Sequence, residues 1–295
     1  MPTSRQPLRA PQQPDAAAAY LASAPPPTRP GKPFLITKEH RRFVEFADAV
    51  RRNRYIGVCY GPPGIGKTLS ARTYSAADDW DAWFLDRHRK DATLPASIDQ
   101  ARSAMWTPRV TTTPRELEWQ VPVLCQHISF AIEGHRSPEY DPLMYGDDRG
   151  CGYTELLIVD EADRLKTAGL EQLRDFFDRH HLGLILIGMP GLEKRLARYP
   201  QLYSRIGFAH QYRPLSADEL AFVLHHRWDS IGLAMSTDDF TDTEAIAAVA
   251  RITGGNFRLI ERLFGQIQRV LEINQLRTVT REVVEAARDT LVIGT

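Results

Sequence analysis

One run of eight residues carries the chemistry with which proteins most often hold phosphate groups. Its sequence, Gly61-Pro62-Pro63-Gly64-Ile65-Gly66-Lys67-Thr68, fits the pattern G-x-x-x-x-G-K-[ST]. The glycines let the backbone curl until successive N–H groups point at phosphate oxygens. Lys67 then reaches the β- and γ-phosphates of a nucleotide, and the Thr68 hydroxyl can ligate Mg²⁺. The run therefore predicts a site for a nucleoside triphosphate such as ATP.

The residues on either side of this phosphate loop suit the elements that such a site needs. Residues 55–60 form a short apolar, β-prone run, which predicts a strand. A helix is expected from Thr68 to Ala77, with its positive end at the phosphates. Leu69, in the first turn of that helix, is counted with the ATP-binding residues. The alternative is a Gly-Pro surface turn without a ligand.

A pair of carboxylates follows a second apolar run. Residues 156–159 are all apolar, which is typical of a central parallel strand, and Asp160 and Glu161 come directly after them. Ligands bind at the carboxyl edge of such sheets, so charged groups there are expected to be used. We predict that Asp160 holds Mg²⁺ through water and that Glu161 polarises the attacking water. The alternative is a strand end followed by a helix cap.

Composition limits the class of protein. A length of 295 residues suggests one large or two modest domains, and 43% hydrophobic residues are enough for a proper core. The formal net charge is zero, so no global basic signal points to nucleic acid. The three cysteines are far apart, which indicates neither a zinc site nor a disulfide framework. Without an apolar run of membrane-spanning length or a signal peptide, the expectation is a cytoplasmic protein with no membrane partner.

The order of elements predicts three parts. Residues 1–33 contain nine of the twenty prolines and predict a disordered Pro/Ala-rich tail, either without a role or serving as a docking arm. Residues 34–215 alternate strands and helices, which predicts an α/β fold with a parallel sheet sandwiched by helices. Residues 216–295 predict a small all-helical lid domain that folds over the nucleotide.

The expected boundaries are as follows. Strands are expected at 55–60, 103–110, 156–161, 184–188 and 208–212. Helices are expected at 37–52, 68–77, 114–133, 170–181 and 191–199, and then at 218–231, 243–252, 257–273 and 281–291. Residues 78–100 are left without an assignment, and residues 134–152 are expected to form a loop.

The chain resembles the AAA+ ATPases, a class of P-loop NTPases with an α/β core and a helical lid. Besides the two motifs above, Gln201-Leu202-Tyr203-Ser204-Arg205 stands where this family carries its arginine finger, and Gly254-Gly255-Asn256-Phe257-Arg258 stands where it carries its sensor-2 arginine. The resemblance implies that Arg205 completes the catalytic site of a neighbouring subunit. It also implies that Arg258 binds ATP and couples the lid to the nucleotide state.

Within this family the chain looks most like the transposition regulators of the TniB, TnsC and MuB type. The matching stretches are residues 55–68, the Thr107-Pro108 and Thr113-Pro114 pairs, Ile187-Gly188 followed by Leu192, and residues 254–258. The resemblance implies an ATP hydrolase that assembles as a ring or helical filament on duplex DNA and recruits or stimulates a transposase or integrase. Other AAA+ roles, such as a replication loader or a secretion-associated ATPase, remain alternatives.

One departure from the family pattern concerns the sensor-1 position. The family places a polar residue after its fourth strand, whereas this chain has Gly188-Met189-Pro190. A Met189 side chain cannot hydrogen-bond a γ-phosphate or orient water. A nucleotide-gated scaffold that hardly hydrolyses ATP is therefore a further alternative.

The residues after the second strand are the predicted DNA contacts. Arg109, Thr111 and Thr112 offer a cation and hydroxyl groups of the kind that bind phosphates without reading bases, together with Thr113 and the nearby Arg102. The resemblance implies that this region faces the central channel of the oligomer. In the alternative interpretation, Arg109 is a solvated strand end and the threonines cap the next helix.

Overall fold

The structure is a computed structural model that describes residues 34–87, 93–137, 151–230 and 240–291. The predicted tail lies outside these residues, as does most of the predicted loop, residues 138–150. The strands are β1 (Ile56–Tyr60), β2 (Ser103–Trp106), β3 (Leu156–Val159), β4 (Gly183–Gly188) and β5 (Ile206–Gln211). The helices before β5 are α1 (Lys38–Asn53), α2 (Lys67–Tyr74), α3 (Ala77–Asp86), α4 (Ala96–Ala101), α5 (Pro114–Arg136), α6 (Thr167–Arg179), α7 (Leu192–Leu196) and α8 (Pro200–Tyr203). Those after it are α9 (Ala217–Ser230), α10 (Phe240–Thr253), α11 (Phe257–Asn274) and α12 (Arg281–Asp289).

The five strands form one parallel sheet in the order β2-β3-β4-β1-β5. This confirms the predicted α/β fold of a P-loop NTPase. Since all the strands run the same way, the residues that follow them meet at one edge of the sheet. The phosphate loop, the carboxylate pair and Met189 all follow strands and so belong to that edge.

Helices cover both faces of the sheet because alternate strand residues point to opposite sides. On one face, Val58 and Leu157 belong to a buried cluster that includes Leu117 of α5 and Leu173 of α6. The other face forms a second cluster, in which Cys59, Ile158 and Ile187 join Phe43 and Phe46 of α1. The sheet is thus a buried middle layer, in agreement with its continuously apolar strands.

Helical boundaries agree with the prediction where a side chain caps the helix. The Thr37 side chain accepts a hydrogen bond from the N–H of His40 at the start of α1. At α5, Thr113 and Glu116 form a reciprocal capping box, and Pro114 occupies the first turn. That helix continues to Arg136, three residues beyond the expected end, with Gly134 inside it.

The region after the phosphate loop differs from the prediction. The helix that was expected to reach Ala77 ends at Tyr74, because Ala76 adopts a left-handed conformation with φ 51°. The unassigned stretch then forms α3 and α4, with Trp80 and Phe84 buried in the core. The polar residues of this stretch concealed a helix that buries Trp80 and Phe84 and leaves Leu85 exposed.

Other boundaries also differ from the prediction, among them the end of the second strand and the end of the helix expected at 191–199. The second strand ends at Trp106 rather than Val110, and Pro108, which has no N–H to donate, lies just beyond it. Arg109 therefore belongs to a loop and not to a strand end. The helix expected at 191–199 ends at Leu196, and Pro200 begins a separate short helix, α8.

The last four helices pack around a hydrophobic cluster of their own, centred on Trp228, Leu263 and Ile267. One contact between these helices and α1 is made by Glu219, whose carboxylate accepts hydrogen bonds from the Ser216 hydroxyl (2.9 Å) and from the N–H of Glu39 in α1 (3.2 Å). One side chain thus caps α9 and also contacts the first turn of α1. Among the described residues, the helices are too short or too polar to cross a membrane.

Candidate functional site

The phosphate loop joins the end of β1 to the start of α2. Two of its glycines, Gly64 and Gly66, have φ angles of 79° and 110°, a region that residues with side chains rarely adopt. These two residues turn the chain back on itself, and α2 begins at Lys67 directly after them. The positive end of a helix therefore lies at the loop, where it favours an anion.

The Lys67 side chain folds back over the loop. Its ammonium donates hydrogen bonds to the carbonyl oxygens of Gly61 (2.6 Å) and Pro62 (2.7 Å). Burial lowers the pKa of Lys67, although the carboxylate of Asp160 acts in the opposite direction. A cation that has lost part of its hydration gains most from a negatively charged partner, which phosphate oxygens would provide.

The structure brings Thr68 and Asp160 together, although they are far apart in the chain. The Thr68 hydroxyl donates a hydrogen bond to Asp160 Oδ2 over 2.7 Å. Asp160 is only 4% exposed, and burial raises the pKa of its carboxyl group. Mg²⁺ prefers oxygen ligands of this kind, and a cation would offset the cost of burying the carboxylate. The pair therefore fits the predicted metal site.

Glu161 is held by a different partner. It is exposed and has a left-handed backbone with φ 50°, and its carboxylate forms an ion pair with Arg164. The Arg164 guanidinium also donates a hydrogen bond to the Pro108 carbonyl, 2.9 Å away, just before the predicted DNA contacts. Arg164 therefore competes with water for the Glu161 carboxylate.

The segment that opens α11 contacts the phosphate loop directly. Asn256 Nδ2 donates a hydrogen bond to the Pro63 carbonyl (2.8 Å), and the backbone N–H of Arg258 donates to the Gly64 carbonyl (2.9 Å). A Cβ at Gly64 would lie 2.7 Å from Asn256 Oδ1, so only glycine permits this approach. Sequence reasoning singled out Arg258 but assigned no role to Asn256.

These elements enclose a cleft of ≈ 680 Å³, a volume suited to a small ligand. Lys67, Thr68, Leu69 and Arg258 all line it. Its apolar lining includes Phe34, Leu35, Leu215 and Phe257. Apolar side chains, two of them aromatic, suit a nucleobase.

A chain of hydrogen bonds also borders the cleft. His40 Nδ1 lies 3.0 Å from the Ser70 hydroxyl, which lies 2.8 Å from the Tyr212 hydroxyl. Burial lowers the pKa of His40 and raises that of Tyr212, so both groups favour their neutral forms. These residues come from α1, α2 and the end of β5, and no sequence motif marked them.

Comparisons with known proteins agree with this geometry. A family profile described as an AAA domain matches residues 50–196. A protein of Staphylococcus aureus named "Potential ATP-binding protein" is 44% identical over 270 residues, which span 88% of this chain and 97% of that protein. The chain belongs to the AAA+ ATPase family.

Two more distant proteins extend the comparison. The Mu-like prophage FluMu DNA transposition protein B of Haemophilus influenzae is 22% identical over 236 residues, or 78% of this chain and 71% of that protein. The ORC1 protein of Aeropyrum pernix, solved in complex with DNA, superposes with a TM-score of 0.53 and 18% identity, covering 87% of this chain and 66% of that one. At this identity the second likeness shows the AAA+ fold alone.

Arg205 lies at the sheet edge opposite the phosphate loop of this AAA+ fold. Its carbonyl accepts a hydrogen bond from the N–H of Ile56, the first residue of β1, whereas the loop follows the last. At about 3.3 Å per residue, the strand separates the two by roughly 15 Å. The guanidinium makes a two-pronged contact with Asp178 of α6, at 2.5 and 2.8 Å. The structure therefore does not bring Arg205 into the cleft of its own subunit.

The predicted DNA contacts lie together in the loop after β2, which is an edge strand. Arg109 and Thr111 are exposed and Thr112 is half-buried, with its N–H donating to the Arg109 carbonyl over 3.1 Å. Arg102 is not near them, contrary to expectation. It precedes β2 and pairs with Glu155 (2.8 Å) at the other end of the sheet.

Proposed function

We propose that this AAA+ protein is an ATP hydrolase that oligomerises on duplex DNA and recruits or stimulates a transposase. The main observation in support is the Thr68–Asp160 hydrogen bond beside a cleft that Lys67, Thr68 and Arg258 line. Such an arrangement combines donors for phosphate oxygens with ligands for Mg²⁺. It is the equipment that phosphoryl transfer to water requires.

The hydrolysis step needs positioning and charge neutralisation more than covalent help. The water oxygen forms a bond to the γ-phosphorus while the bond to the bridging oxygen breaks, and ADP leaves with that electron pair. Lys67 and the loop N–H groups hold the phosphates, and Glu161 takes a hydrogen bond from the water. Thr68, and Asp160 through water, would hold Mg²⁺, which would supply positive charge beside the phosphates. The proton of the water passes to solvent or phosphate.

Arg258 and Arg205 are the residues that would link ATP hydrolysis to the assembly of subunits. Residues 216–295 are proposed to form a lid over the nucleotide. Because the segment around Arg258 contacts the phosphate loop, ATP and ADP would favour different angles of this lid. Arg258 would thereby sense which nucleotide is bound. Arg205 acts on the cleft of a neighbouring subunit. The ATP-bound form then favours the oligomer, and hydrolysis dissolves it.

DNA binding and the transposase partner rest on weaker support. The similarity to the Haemophilus DNA transposition protein favours this role over other AAA+ roles. The loop after β2 adds an exposed cation, Arg109, next to two hydroxyl side chains. One cation per subunit contributes little to DNA affinity by itself. A filament of subunits would place these cations in a continuous row along the DNA. This reconciles DNA binding with a net charge of zero.

A nucleotide-gated scaffold is the second candidate function. Two observations favour it: Met189 at the sensor-1 position is 42% exposed, and Glu161 is engaged by Arg164. Steady-state ATPase assays with and without duplex DNA separate the two candidates. Turnover that rises on DNA and disappears in Lys67→Ala supports the hydrolase. Tight ATP binding without turnover in either condition supports the scaffold.

Arg109 provides the test of DNA contact. We expect Arg109→Glu to weaken ATP-dependent DNA binding by a similar factor for all sequences, because its partner is a phosphate group. The slope of log affinity against log salt should fall by about one per lost contact. Fluorescence anisotropy over a salt series measures both quantities.

The matched control is Arg281→Glu, which makes the same charge change at an exposed position in α12. It should leave DNA affinity near that of the wild type, and ATP affinity should survive in both variants. If Arg109→Glu keeps the wild-type affinity and salt slope, the DNA-binding surface lies elsewhere.

A further inference from the structure

The end of β4 adjoins the phosphate loop but has no polar side chain of its own. Gly188 pairs in register with Tyr60, and its carbonyl accepts a 3.4 Å hydrogen bond from the N–H of Gly61, the first residue of the loop. The next residue, Met189, is 42% exposed and apolar. A polar group that acts on the γ-phosphate at the end of β4 must therefore be supplied by another part of the chain.

The carboxylate of Asp163 lies at this point. Its Oδ2 accepts a hydrogen bond from the Met189 N–H, with a donor–acceptor distance of 2.6 Å. A Cβ added at Gly188 would collide with the same oxygen. Asp163 thus fills the space that a side chain at position 188 would take, and only glycine there leaves room for it.

Asp163 is fixed in place by the turn that carries it. The Arg195 guanidinium of α7 donates a 2.9 Å hydrogen bond to the Asp163 carbonyl and another hydrogen bond to the Leu165 carbonyl. The side chain is half-buried, so its position is set by packing as well as by hydrogen bonds. The turn follows directly from Asp160 and Glu161, which places all three carboxylates at one edge of the sheet.

The same carboxylate lies beside the phosphate loop. Gly188 is paired with Tyr60, the last residue of β1, and the loop begins at the next residue, Gly61. Because Asp163 Oδ2 accepts a hydrogen bond from the N–H of Met189, directly after Gly188, it lies at the end of β4 that adjoins the loop.

We propose that Asp163 serves as the polar group of the sensor-1 position, accepting a hydrogen bond from the attacking water and holding it in line with the γ-phosphate together with Glu161. This inference rests on the proposed hydrolase function. The water oxygen bonds to the γ-phosphorus, the bridging bond breaks, and ADP leaves with its electron pair. Asp163 contributes an acceptor that orients the water, and the proton passes to solvent or phosphate.

Asp163→Asn separates this role from a purely structural one. The amide oxygen of asparagine can still accept the Met189 N–H, so the end of β4 stays supported. It lacks the negative charge that orients water. We expect kcat to fall by at least about tenfold, with KM and Kd for ATP within about twofold of wild type. Asp175→Asn, an exposed carboxylate on α6, is the matched control and should behave as wild type.

A second variant tests whether the two positions share one function. Met189→Asn places a polar side chain directly at the end of β4. It should restore much of the lost kcat in the Asp163→Asn background and change little in the wild-type background, a coupling that a double-mutant cycle measures. Equal effects of Met189→Asn in both backgrounds would contradict the inference, because they would show independent roles.

The wild-type assay separates failure of the inference from failure of the proposed function. A wild-type chain that binds ATP without turnover, with and without DNA, overturns both. An active wild type with unchanged kcat in Asp163→Asn and reduced stability in Asp163→Ala overturns the inference only, and leaves Asp163 as a cap for Met189.

Discussion

At the scale of single residues, the carboxylate to which water activation is assigned already has a charged partner, Arg164. Glu161 combines a left-handed backbone with an ion pair to Arg164. Such conformations are costly for residues other than glycine and tend to occur at functional sites. Release of this ion pair would make Glu161 available to water. Arg164 also donates a hydrogen bond to the Pro108 carbonyl, so the ion pair is connected to the loop after β2.

Glu161→Gln tests the assigned role at this scale. The amide fits the same space but polarises water poorly, so ATP binding should persist while turnover falls by on the order of 10²-fold or more. Nucleotide titration and a phosphate-release assay measure the two effects. Glu118→Gln, an exposed change on α5, should leave both unchanged. Normal turnover in Glu161→Gln would remove Glu161 from the mechanism.

At the scale of elements, the joint between α2 and α3 depends on one buried cation. The Arg72 side chain is 8% exposed and donates hydrogen bonds to Asp78 (2.7 Å) and Asp81 (2.6 Å), both in α3. The joint includes Ala76 in its left-handed conformation. Because α2 begins at the phosphate loop, this ion-pair cluster helps to fix the helix that points at the phosphates.

Arg72→Ala should therefore destabilise the protein. Truncating Arg72 removes charge-assisted hydrogen bonds to Asp78 and Asp81, which are partly exposed to solvent, and costs on the order of 2 kcal/mol. The free energy of unfolding from urea denaturation measures this effect. Arg179→Ala removes an exposed ion pair with Asp175 and should cost no more than about 0.5 kcal/mol. Equal losses in the two variants would show that the α2–α3 cluster has no special role.

At the scale of the whole molecule, different predicted functional residues lie at the two ends of the parallel strands. The phosphate loop, Asp160, Asp163 and the predicted DNA contacts belong to the carboxyl edge, whereas Arg205 lies at the other. A side chain cannot cross the length of β1, so Arg205 can contribute to hydrolysis only in a second subunit. Its contact with Asp178 holds the guanidinium at the surface, where a neighbouring subunit could receive it.

Mixed oligomers test this arrangement. Arg205→Ala should bind ATP normally but lose hydrolysis, since an arginine finger is worth on the order of 10³–10⁵ in rate. Lys67→Ala should lose ATP binding but keep an intact Arg205. Mixing the two should restore part of the activity, because some interfaces then join an intact cleft to an intact arginine.

The control for this experiment is Arg277→Ala, an exposed change in the helical region, which should hydrolyse ATP as wild type does. Phosphate release measured over a series of mixing ratios gives the rescue curve. Absence of rescue at every ratio, with assembly verified by sedimentation, would contradict action between subunits.

Although α3, α4 and α8 were missed, sequence patterns identified the phosphate loop and the five strands in their chain order. These features are local: the loop depends on contiguous residues, and buried parallel strands are continuous apolar runs. Helix starts at Thr37 and Thr113 were predictable for the same reason, since a cap and its partner lie three residues apart. Boundaries failed where a single backbone angle decided them, as at Ala76. The residue roles, including those of Glu161, Arg205 and Arg258, stay predictions.

Contacts between polar residues that are far apart in sequence become visible only in the tertiary structure. Asn256 reaches Pro63 across 193 positions of the chain, and Asp163 reaches Met189 across 26. The tertiary structure also places Arg102 and Arg109, close neighbours in sequence, at opposite ends of β2. Contacts of this kind leave no periodic pattern, because each is a single polar residue whose partner is set by the packing of whole elements. Periodicity specifies which face of an element is buried, and the packing of those faces then determines which side chains surround the cleft.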